Sequence, residues 1–264
     1  MTADEILAAL PADWSDRLRD TELIPITSGM SAAGVFRVHQ TGLNDQYLKV
    51  GAGDVADHLR REVERTEWLA AGQIWVPRTL MRYDGSNQFA VLMTALNGPS
   101  IDCAPVEEWQ PVVKSIARAF ARFHAVPVKH CPFDETVSVR LSRARREIER
   151  GAVNPSHFDP RNSGVTPEAL YHRLKRDPPA SQDLVVVHGD ATLSNLILGS
   201  DERIGFIDCG NAGKSDRYVD FAPLVAELVE RFGVSARDVF LRTYGRIEWD
   251  ERRALFYSDL YELF

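Results

Sequence analysis

The stretch "VVVHGDATLSNLILGSDERIGFIDCG", from Val185 to Gly210, places polar and acidic residues between apolar runs that are typical of short strands. The four residues that stand out are His188, Asp190, Asn195 and Asp208. An ionised carboxylate at the end of a buried strand is costly unless a cation or several hydrogen-bond donors compensate its charge. The stretch therefore predicts a functional site built on short strands, whose partners lie elsewhere in the sequence.

The spacing of these residues indicates phosphoryl transfer. His188, Asp190 and Asn195 follow the pattern H-x-D-x-x-x-x-N of a kinase catalytic loop, and Asp208 follows "IGFI" where the metal-binding Asp of D-F-G would stand. Asn195 and Asp208 offer the hard oxygen atoms that Mg²⁺ prefers. Asp190 is suited to accept the proton of an attacking hydroxyl, whereas we expect His188 to brace the loop through hydrogen bonds.

A second pair of charged residues lies upstream. The sequence predicts a helix from Asp54 to Gly72, and Glu62 falls on its apolar face. The other members of that face are Val55, Leu59, Thr66 and Leu69. A carboxylate on a packed face needs a cation, and the nearest candidate is Lys49 in the preceding strand "YLKV". The alternative is that this end of the helix is exposed or frayed.

Composition and charge limit the class of protein. The chain has 264 residues, of which 44% are hydrophobic, and its formal net charge is −7 with no basic tract. A nucleic-acid partner is therefore not expected, whereas a small cationic ligand would suit an acidic surface, although acidity can also serve solubility alone. The three cysteines indicate neither a disulfide framework nor a zinc site. With no signal segment and no apolar run of membrane-spanning length, we expect a soluble, cytoplasmic protein without a membrane partner.

The order of predicted elements divides the chain in two. Strand patterns dominate up to a break at Gly98 and Pro99, and helical patterns dominate beyond it. Predicted strands lie within 23–40, 45–51 and 87–101. Predicted helices cover 54–72, 109–124, 139–151, a segment beginning at Thr166, 218–233 and 251–264. We therefore predict a small strand-rich lobe followed by a larger helical lobe that contains the catalytic-loop motif.

The chain resembles the aminoglycoside phosphotransferases, and most closely the 3′-phosphotransferases that modify kanamycin- and neomycin-type antibiotics. The likeness covers nearly the whole chain through "GMSAAGVF", "YLKV", "VLMTALNG", "FHAVPVKHCPFD", "VVVHGDATLSN", "GFIDCGNAGKSDRYVD" and "FYSDLYELF". It implies an α+β, two-lobed protein-kinase-like fold, with a nucleotide-binding lobe over 1–97 and a catalytic and substrate-binding lobe over 98–264. It also implies ATP and Mg²⁺ as cofactors, Asp190 as the catalytic residue, and a sugar hydroxyl as phosphate acceptor.

The resemblance assigns residues to the phosphates of ATP. The segment Gly29–Gly34 would form a loop over them, with Ser31 and backbone N–H groups as donors. Lys49 would hold the α- and β-phosphates while Glu62 orients the lysine. Asn195 and Asp208 would be the Mg²⁺ ligands, as their spacing also indicates. Without the other motifs, the loop would read as an ordinary Gly/Ala hairpin.

The resemblance also assigns the adenine contacts. Tyr47 would stack on the ring, Met93 would lie at its back edge, and Ile207 would close its other face. Thr94 and Leu96 would offer backbone hydrogen bonds. Tyr47, Met93 and Ile207 could equally be plain core residues.

The acidic substrate residues implied by the resemblance are Asp159, Glu227, Glu230 and Glu262, joined by the terminal carboxylate of Phe264. A polyamine sugar carries several ammonium groups, so we expect its pocket to present carboxylates without neutralising cations. The chain departs from the family pattern at Asn211 and Tyr261, where many relatives carry Arg and Asp. These departures leave the identity of the aminoglycoside open.

Three alternatives to a 3′-phosphotransferase remain at this point. The first is a streptomycin 3″-phosphotransferase, which shares the catalytic loop. The second is a metabolic kinase for choline, homoserine or a fructosamine on the same fold, although no aromatic cage for a quaternary ammonium is evident. The third is a kinase-like binding protein without catalysis, which would be expected to have lost one of Asp190, Asn195, Asp208 or Lys49. In every case we expect a monomer.

Overall fold

The computed structural model of the protein describes residues 10–27, 33–104 and 108–264. The chain forms two compact units. The first comprises Met1–Gly98 and Gly205–Gly210, and the second comprises Pro99–Ile204 and Asn211–Phe264. Most of the predicted phosphate loop, including Ser31, lies outside the described residues.

The first unit is built on a five-stranded antiparallel sheet with the strand order β1-β2-β3-β5-β4. Its strands are β1 (Glu22–Pro25), β2 (Gly34–His39), β3 (Gln46–Ala52), β4 (Thr79–Asp84) and β5 (Gln88–Thr94). Its helices are α1 (Ala12–Leu18) and α2 (Asp54–Ala71). The second helix ends at Gly72, where the N–H of Gly72 bonds back to the carbonyl of Trp68 and the N–H of Gln73 to that of Ala70.

Both faces of this sheet are covered by apolar side chains. Successive residues of a strand point to opposite faces, so Leu48 and Val50 of β3 join a cluster with Trp14 and Leu18 of α1. On the other face, Leu59 and Val63 of α2 pack with Phe89, Val91 and Met93 of β5. Lys49 of β3 alternates with Leu48 and Val50 and therefore lies on the side of the sheet that α2 covers.

The second unit is mainly helical. Its helices are α3 (Trp109–His124), α4 (Val137–Glu149), α5 (Pro167–Arg176), α6 (Tyr218–Phe232), α7 (Ser235–Tyr244) and α8 (Glu251–Tyr261). Its strands are β6 (Leu184–Val187), β7 (Leu196–Leu198) and β9 (Gly213–Asp216), and β8 (Ile204–Phe206) leads the chain back to the first unit. Strands β6 and β9 pair antiparallel.

Aromatic rings fill the centre of the helical unit. Phe120 of α3, Phe221 of α6 and Phe240 of α7 are fully buried, and their rings meet edge to face. The side chain of Thr166 caps α5 by accepting the N–H of Ala169, as the helix-start pattern predicts. The predicted combination of a small strand-rich part and a larger helical part is confirmed.

Among the helices of the described residues, none combines the length and the apolar character that crossing a membrane requires.

Candidate active site

A lysine and two carboxylates form an ion-pair network in the first unit. The Nζ of Lys49 donates to Glu62 Oε1 at 2.7 Å and also to Asp208 Oδ1. The side chain of Lys49 is 13% exposed and that of Glu62 is 6% exposed, whereas that of Asp208 is 45% exposed. Glu62 is therefore a buried, paired carboxylate rather than part of an exposed or frayed helix end.

Both carboxylates of this network stabilise the charge of Lys49. Burial lowers the pKa of Lys49, but the carboxylates of Glu62 and Asp208 outweigh burial and hold that pKa above its ordinary value. The lysine therefore stays cationic at neutral pH. One carboxylate fixes the ammonium from inside the fold, and the other, Asp208, is half exposed beside it. This arrangement presents a positive and a negative group together, as binding of a metal-complexed phosphate requires.

The backbone at Asp208 is unusual for a residue with a side chain. Its φ of 57° lies in the left-handed region, which costs a non-glycine residue about 1–2 kcal/mol. Such strain is commonly retained at functional sites. The chain then passes close to α2. A Cβ atom added at Gly210 would lie 3.2 Å from His58 Nε2 and 3.5 Å from Glu62 Cβ. The glycine lets this segment approach the helix that carries Glu62.

Two of the predicted adenine residues are neighbours in the sheet. Tyr47 and Met93 face each other across β3 and β5. Met93 belongs to the apolar cluster under α2, and half-buried Tyr47 packs against that cluster. Core packing alone therefore accounts for both positions, and their contact with adenine stays a prediction.

The remaining adenine residues lie near the end of β5 and after β8. The N–H of Thr94 donates to the carbonyl of Arg78 at 2.9 Å, so this donor is already used within the unit. Leu96 is half-buried close to Gly205, where an added Cβ would lie 2.6 Å from Leu96 Cδ1. Ile207 is half-buried directly before Asp208. Their roles toward a nucleotide stay predictions.

The catalytic-loop motif lies in the second unit, between β6 and β7. Asp190 is half-buried, and its Oδ2 accepts a hydrogen bond from Asn195 Nδ2 at 3.0 Å. Its Oδ1 accepts the hydroxyl of Tyr261 at 2.7 Å. Asn195 Nδ2 also donates to the carbonyl of Asp190 at 3.0 Å. Both of these asparagine bonds use the amide nitrogen, so the predicted metal contact of Asn195 would fall to its amide oxygen and stays a prediction.

The Tyr261 contact was not predicted, and it holds the second oxygen of the candidate base. Burial, followed by the negative charge of Asp190, raises the pKa of Tyr261 well above its ordinary value. The phenol therefore stays protonated and remains a hydrogen-bond donor. Two donors, Asn195 and Tyr261, together fix the orientation of the Asp190 carboxylate.

A buried aspartate of α6 anchors the same loop. Asp220 Oδ2 accepts the backbone N–H of His188 at 2.8 Å and His124 Nε2 at 2.9 Å. Its Oδ1 accepts the N–H of Gly189 at 2.8 Å. His188 is fully buried, and its Nδ1 accepts the N–H of Asp190 at 3.3 Å. This histidine braces the loop as predicted, whereas the anchoring role of Asp220 was missed.

The loop also requires a glycine between its histidine and its aspartate. Gly189 has φ = 86°, and a Cβ there would lie 2.1 Å from the carbonyl oxygen of Asn211. Its own carbonyl accepts Arg140 Nη2 at 3.1 Å. The central residue of H-G-D thus combines a left-handed backbone with close contact to the neighbouring chain, and both favour glycine.

We expect Asp220→Asn to lower the free energy of unfolding by about 2–4 kcal/mol, because the amide would turn a donor toward backbone N–H groups. Burial acts to raise the pKa of Asp220, but bonds from His124 and Gly189 lower it below its ordinary value. A depressed carboxyl pKa stabilises the fold above the unfolded pKa of about 3.9 and loses that contribution as pH falls through the folded pKa. Urea unfolding at pH 7 and pH 3 measures both effects.

The matched control for this prediction is Asp238→Asn, at a half-exposed aspartate of α7. We expect the control to unfold like the unaltered chain at both pH values. The Asp220 variant should differ from the unaltered chain less at pH 3 than at pH 7. An Asp220→Asn protein as stable as the control at pH 7 would contradict the anchoring role.

Two predicted substrate carboxylates lie on α6. Glu227 is half-buried, and one of its oxygens accepts the N–H of Leu193 in the catalytic loop at 2.5 Å. Burial raises the pKa of Glu227, and the negative charges of Asp190 and Glu230 add to that effect, while the N–H of Leu193 opposes it. Glu230 is exposed one turn further along the helix. The structure therefore brings Glu227 close to the candidate base.

Asp159 and Glu262 form ion pairs with an arginine, which contradicts our expectation. Arg161 Nε donates to Asp159 Oδ1 at 2.9 Å, and Arg161 Nη2 lies 4.0 Å from Glu262 Oε1. The backbone N–H of Arg161 holds the pKa of Asp159 below its ordinary value, burial opposes this effect, and the guanidinium lowers the pKa further. We expected carboxylates without neutralising cations, and for Asp159 and Glu262 that expectation is wrong. Sequence proximity alone could have indicated Arg161, two residues after Asp159.

Phe264, the last residue, is partly exposed at 45%. Its ring lies under the guanidinium of Arg143, with Arg143 Cζ 5.6 Å from the ring centroid. Arg143 also donates to Asn211 Oδ1 at 2.7 Å and to Glu135. The ring of Phe264 thus packs against an arginine of α4, and the contact of this residue with substrate stays a prediction.

A buried lysine–glutamate pair, a neighbouring exposed aspartate and an H-x-D-x-x-x-x-N loop on this fold define the class of phosphotransferases. The sequence profile of the phosphotransferase enzyme family matches residues 22–255. The chain belongs to this family, and the resemblance to aminoglycoside phosphotransferases is confirmed.

Individual relatives agree with this assignment. An aminoglycoside 3′-phosphotransferase of Escherichia coli is 34% identical over 261 residues, covering 97% of this chain and 96% of the relative. The crystal structure of an aminoglycoside 3′-phosphotransferase of type VIII superposes with a TM-score of 0.89 at 31% identity, over 99% of this chain and 98% of the other. An APH(3″) enzyme of Streptomyces rimosus in complex with ADP and streptomycin gives a TM-score of 0.85 at 30% identity, over 100% and 99%.

Proposed function

We propose that this enzyme transfers the γ-phosphate of ATP to a hydroxyl of an aminoglycoside antibiotic, at its 3′ position, and thereby confers resistance. The observation that carries the proposal is the Asp190 carboxylate, oriented by Asn195 and Tyr261 within the catalytic-loop motif. Relatives named as aminoglycoside 3′-phosphotransferases support the substrate class. Phosphorylation would replace a hydroxyl with a charged group on the antibiotic, so the product would no longer present its original donors and acceptors.

The acceptor side of the reaction depends on Asp190. A carboxylate fixed by two donors can accept a hydrogen bond from the attacking hydroxyl, align its oxygen and receive its proton as the new P–O bond forms. The terminal bridging P–O bond of ATP breaks at the same time, and ADP leaves with the electron pair. Asp220 contributes by holding the backbone of the loop at His188 and Gly189.

The donor side depends on Lys49. We assign its ammonium to the α- and β-phosphates, with Glu62 as the residue that positions it. Asp208 and Asn195 fit Mg²⁺ by donor type, because the former is a half-exposed carboxylate and the latter has an amide oxygen outside the bonds described above. When bound, Mg²⁺ would neutralise charge that develops on the phosphate oxygens.

Further contacts complete the proposal. We assign Ser31, Tyr47, Met93, the backbone of Thr94 and Leu96, and Ile207 to the nucleotide. For Thr94 we assign the carbonyl oxygen to this contact, because its N–H donates to Arg78. We assign Asp159, Glu227, Glu230, Glu262 and the carboxylate of Phe264 to the substrate side. We also propose a monomer that acts in the cytoplasm; Cys103, Cys131 and Cys209, all among the described residues, form no disulfide, which supports a reducing compartment.

Streptomycin is the second candidate substrate. The similar Streptomyces rimosus enzyme is solved with ADP and streptomycin, so the same fold at 30% identity accommodates that antibiotic. Coupled measurement of ADP formation, with kanamycin, neomycin, streptomycin and choline as acceptors, decides between the candidates. Turnover with kanamycin or neomycin supports the proposal. Turnover with streptomycin alone moves the acceptor to that class, and turnover with none of the antibiotics contradicts the proposed function.

We expect Tyr261→Phe to lower kcat about tenfold to a hundredfold while KM for the antibiotic changes little. The phenol donates to Asp190 Oδ1, and losing a hydrogen bond to a charged group removes about 1.5 kcal/mol or more of orienting interaction. Steady-state kinetics at saturating ATP separates the two constants. A higher kcat would contradict this positioning role, because it would show that the phenol competes with the acceptor hydroxyl for the base. Tyr83→Phe, at a tyrosine of β4 in the first unit, is the control.

A further inference from the structure

Arg161 connects two carboxylates that the sequence assigns to substrate binding. It lies in a short turn before α5, and its Nε donates to Asp159 Oδ1 at 2.9 Å. Its Nη2 donates to the hydroxyl of Ser258 at 3.1 Å and lies 4.0 Å from Glu262 Oε1. The guanidinium is thus held between the turn and the end of α8, with its side chain 38% exposed.

Further charged side chains belong to the same group. Asp259 Oδ1 lies 3.4 Å from Arg161 Nη1, and Asp259 Oδ2 accepts Arg173 Nη2 at 2.8 Å. We define the Arg161 cluster as Asp159, Arg161, Arg173, Asp259 and Glu262. Three carboxylates against two guanidinium groups leave this cluster with one net negative charge at neutral pH. The two guanidinium groups therefore offset most of the negative charge that would otherwise attract a cation from solution.

The carboxylates of α6 differ from this cluster. Glu227 accepts the backbone N–H of Leu193, and Glu230 is exposed. Within the described ranges, no Lys or Arg side chain forms an ion pair with either residue. A cationic group can therefore approach Glu227 and Glu230 without displacing a charge of the protein. The carboxylates assigned to the substrate thus fall into two groups. Those of the Arg161 cluster are paired with arginines, whereas Glu227 and Glu230 form no ion pair with a Lys or Arg of the described ranges.

We propose that Arg161 is a specificity-determining residue whose guanidinium occupies the position of a substrate ammonium group. The inference rests on the proposed function and names the part of the substrate that each group of carboxylates recognises. A substrate amine at the Arg161 cluster would compete with a guanidinium of equal charge for the same oxygens. The part of the substrate that reaches this cluster is therefore neutral and bears hydroxyls, and its amino groups are recognised by Glu227 and Glu230.

Two pairs of antibiotics test this inference directly. Neomycin differs from paromomycin, and kanamycin B from kanamycin A, by one amine in place of one hydroxyl on the same skeleton. Calorimetric Kd values for all four are compared between the unaltered protein and Arg161→Met. We expect the variant to shift the preference toward the amine-bearing member by about threefold to tenfold in at least one pair, because Asp159 and Glu262 lose their arginine partner while Asp259 keeps Arg173.

The controls separate local effects from a general change of charge. Arg145→Met removes the same charge from α4, where Arg145 pairs with Glu149 on the surface, and should leave both preferences unchanged. Arg161→Lys keeps the charge and should shift the preference less than Arg161→Met. Thermal unfolding verifies that each variant is folded, and Arg161→Gln replaces the methionine variant if that one does not fold.

The possible outcomes are distinct. Unchanged preferences in both pairs, in a protein that binds and phosphorylates aminoglycosides, would overturn the inference about Arg161 and leave the proposed function intact. An equal shift in Arg145→Met would overturn it as well, because the effect would then follow net charge alone. If the unaltered protein binds none of the four antibiotics, the proposed function is overturned, and the inference with it.

Discussion

Replacing Asp190 with asparagine is expected to lower kcat by about two to four orders of magnitude, the range for removal of a general base. The amide keeps the shape of the carboxylate and leaves the anchoring bonds of Asp220 to the loop intact. It cannot accept a proton from the attacking hydroxyl, and it presents N–H donors where Tyr261 and Asn195 already donate. The loss therefore reflects chemistry and local orientation rather than unfolding.

The measurement is the rate of ADP formation with saturating antibiotic and ATP. Asp201→Asn is the control, because Asp201 is an exposed aspartate in the turn before β8. We expect KM for ATP to stay within about threefold in both proteins, since the nucleotide contacts assigned to Lys49 and Glu62 are unchanged. A kcat within threefold of the unaltered enzyme in Asp190→Asn would show that another group receives the proton.

Prediction from sequence was most successful for contacts between residues that are close in the sequence or whose orientation follows from strand and helix periodicity. Strand alternation and helical spacing place Lys49 and Glu62 on facing surfaces, and the structure joins them at 2.7 Å. The H-x-D-x-x-x-x-N spacing likewise brings Asn195 to Asp190, because five residues of a tight loop leave few conformations. Both relations follow from periodicity and short chain separation.

Relations between distant segments could not be predicted in this way. The Tyr261 bond to Asp190 spans 71 positions and depends on how α8 packs, which no local pattern encodes. Asp220 looked like one polar residue at the start of an apolar helix, and only the fold shows that it faces two backbone N–H groups of another segment. Arg161 lies two residues after a predicted site residue, but its other carboxylate partners, Asp259 and Glu262, are about a hundred positions away.

Helices α1 and α7 and strands β4 and β9 were also absent from the predictions, and physical reasons account for the first three of these. Helix α1 has seven residues, too few for a clear helical period. Strand β4 lies at the edge of the sheet and alternates between half-buried and exposed residues, so its pattern is weak. Helix α7 follows α6 after Gly233 and Val234 with polar residues at its start. Their positions are determined by packing against neighbours more than by their own sequence.

The second large effect is expected from Lys49→Met, which should lower kcat/KM for ATP by about two to three orders of magnitude. The ammonium is the group assigned to the α- and β-phosphates, and the carboxylates around it keep it charged. Methionine retains the length of the side chain but leaves Glu62 buried without its cation. Breaking a buried ion pair in this way costs about 3–5 kcal/mol, so urea unfolding is measured together with turnover.

A double-mutant cycle separates the two roles that this pair of residues plays. Glu62→Gln alone should lower kcat/KM for ATP about tenfold, since the glutamate acts only by positioning Lys49. Lys49→Met combined with Glu62→Gln should be no less active than Lys49→Met and more stable, because the double variant no longer buries an unpaired carboxylate. Lys114→Met, at an exposed lysine of α3, is the control for loss of charge. Strictly additive losses of activity would contradict positioning of Lys49 by Glu62, because they would require Glu62 to act on the nucleotide independently.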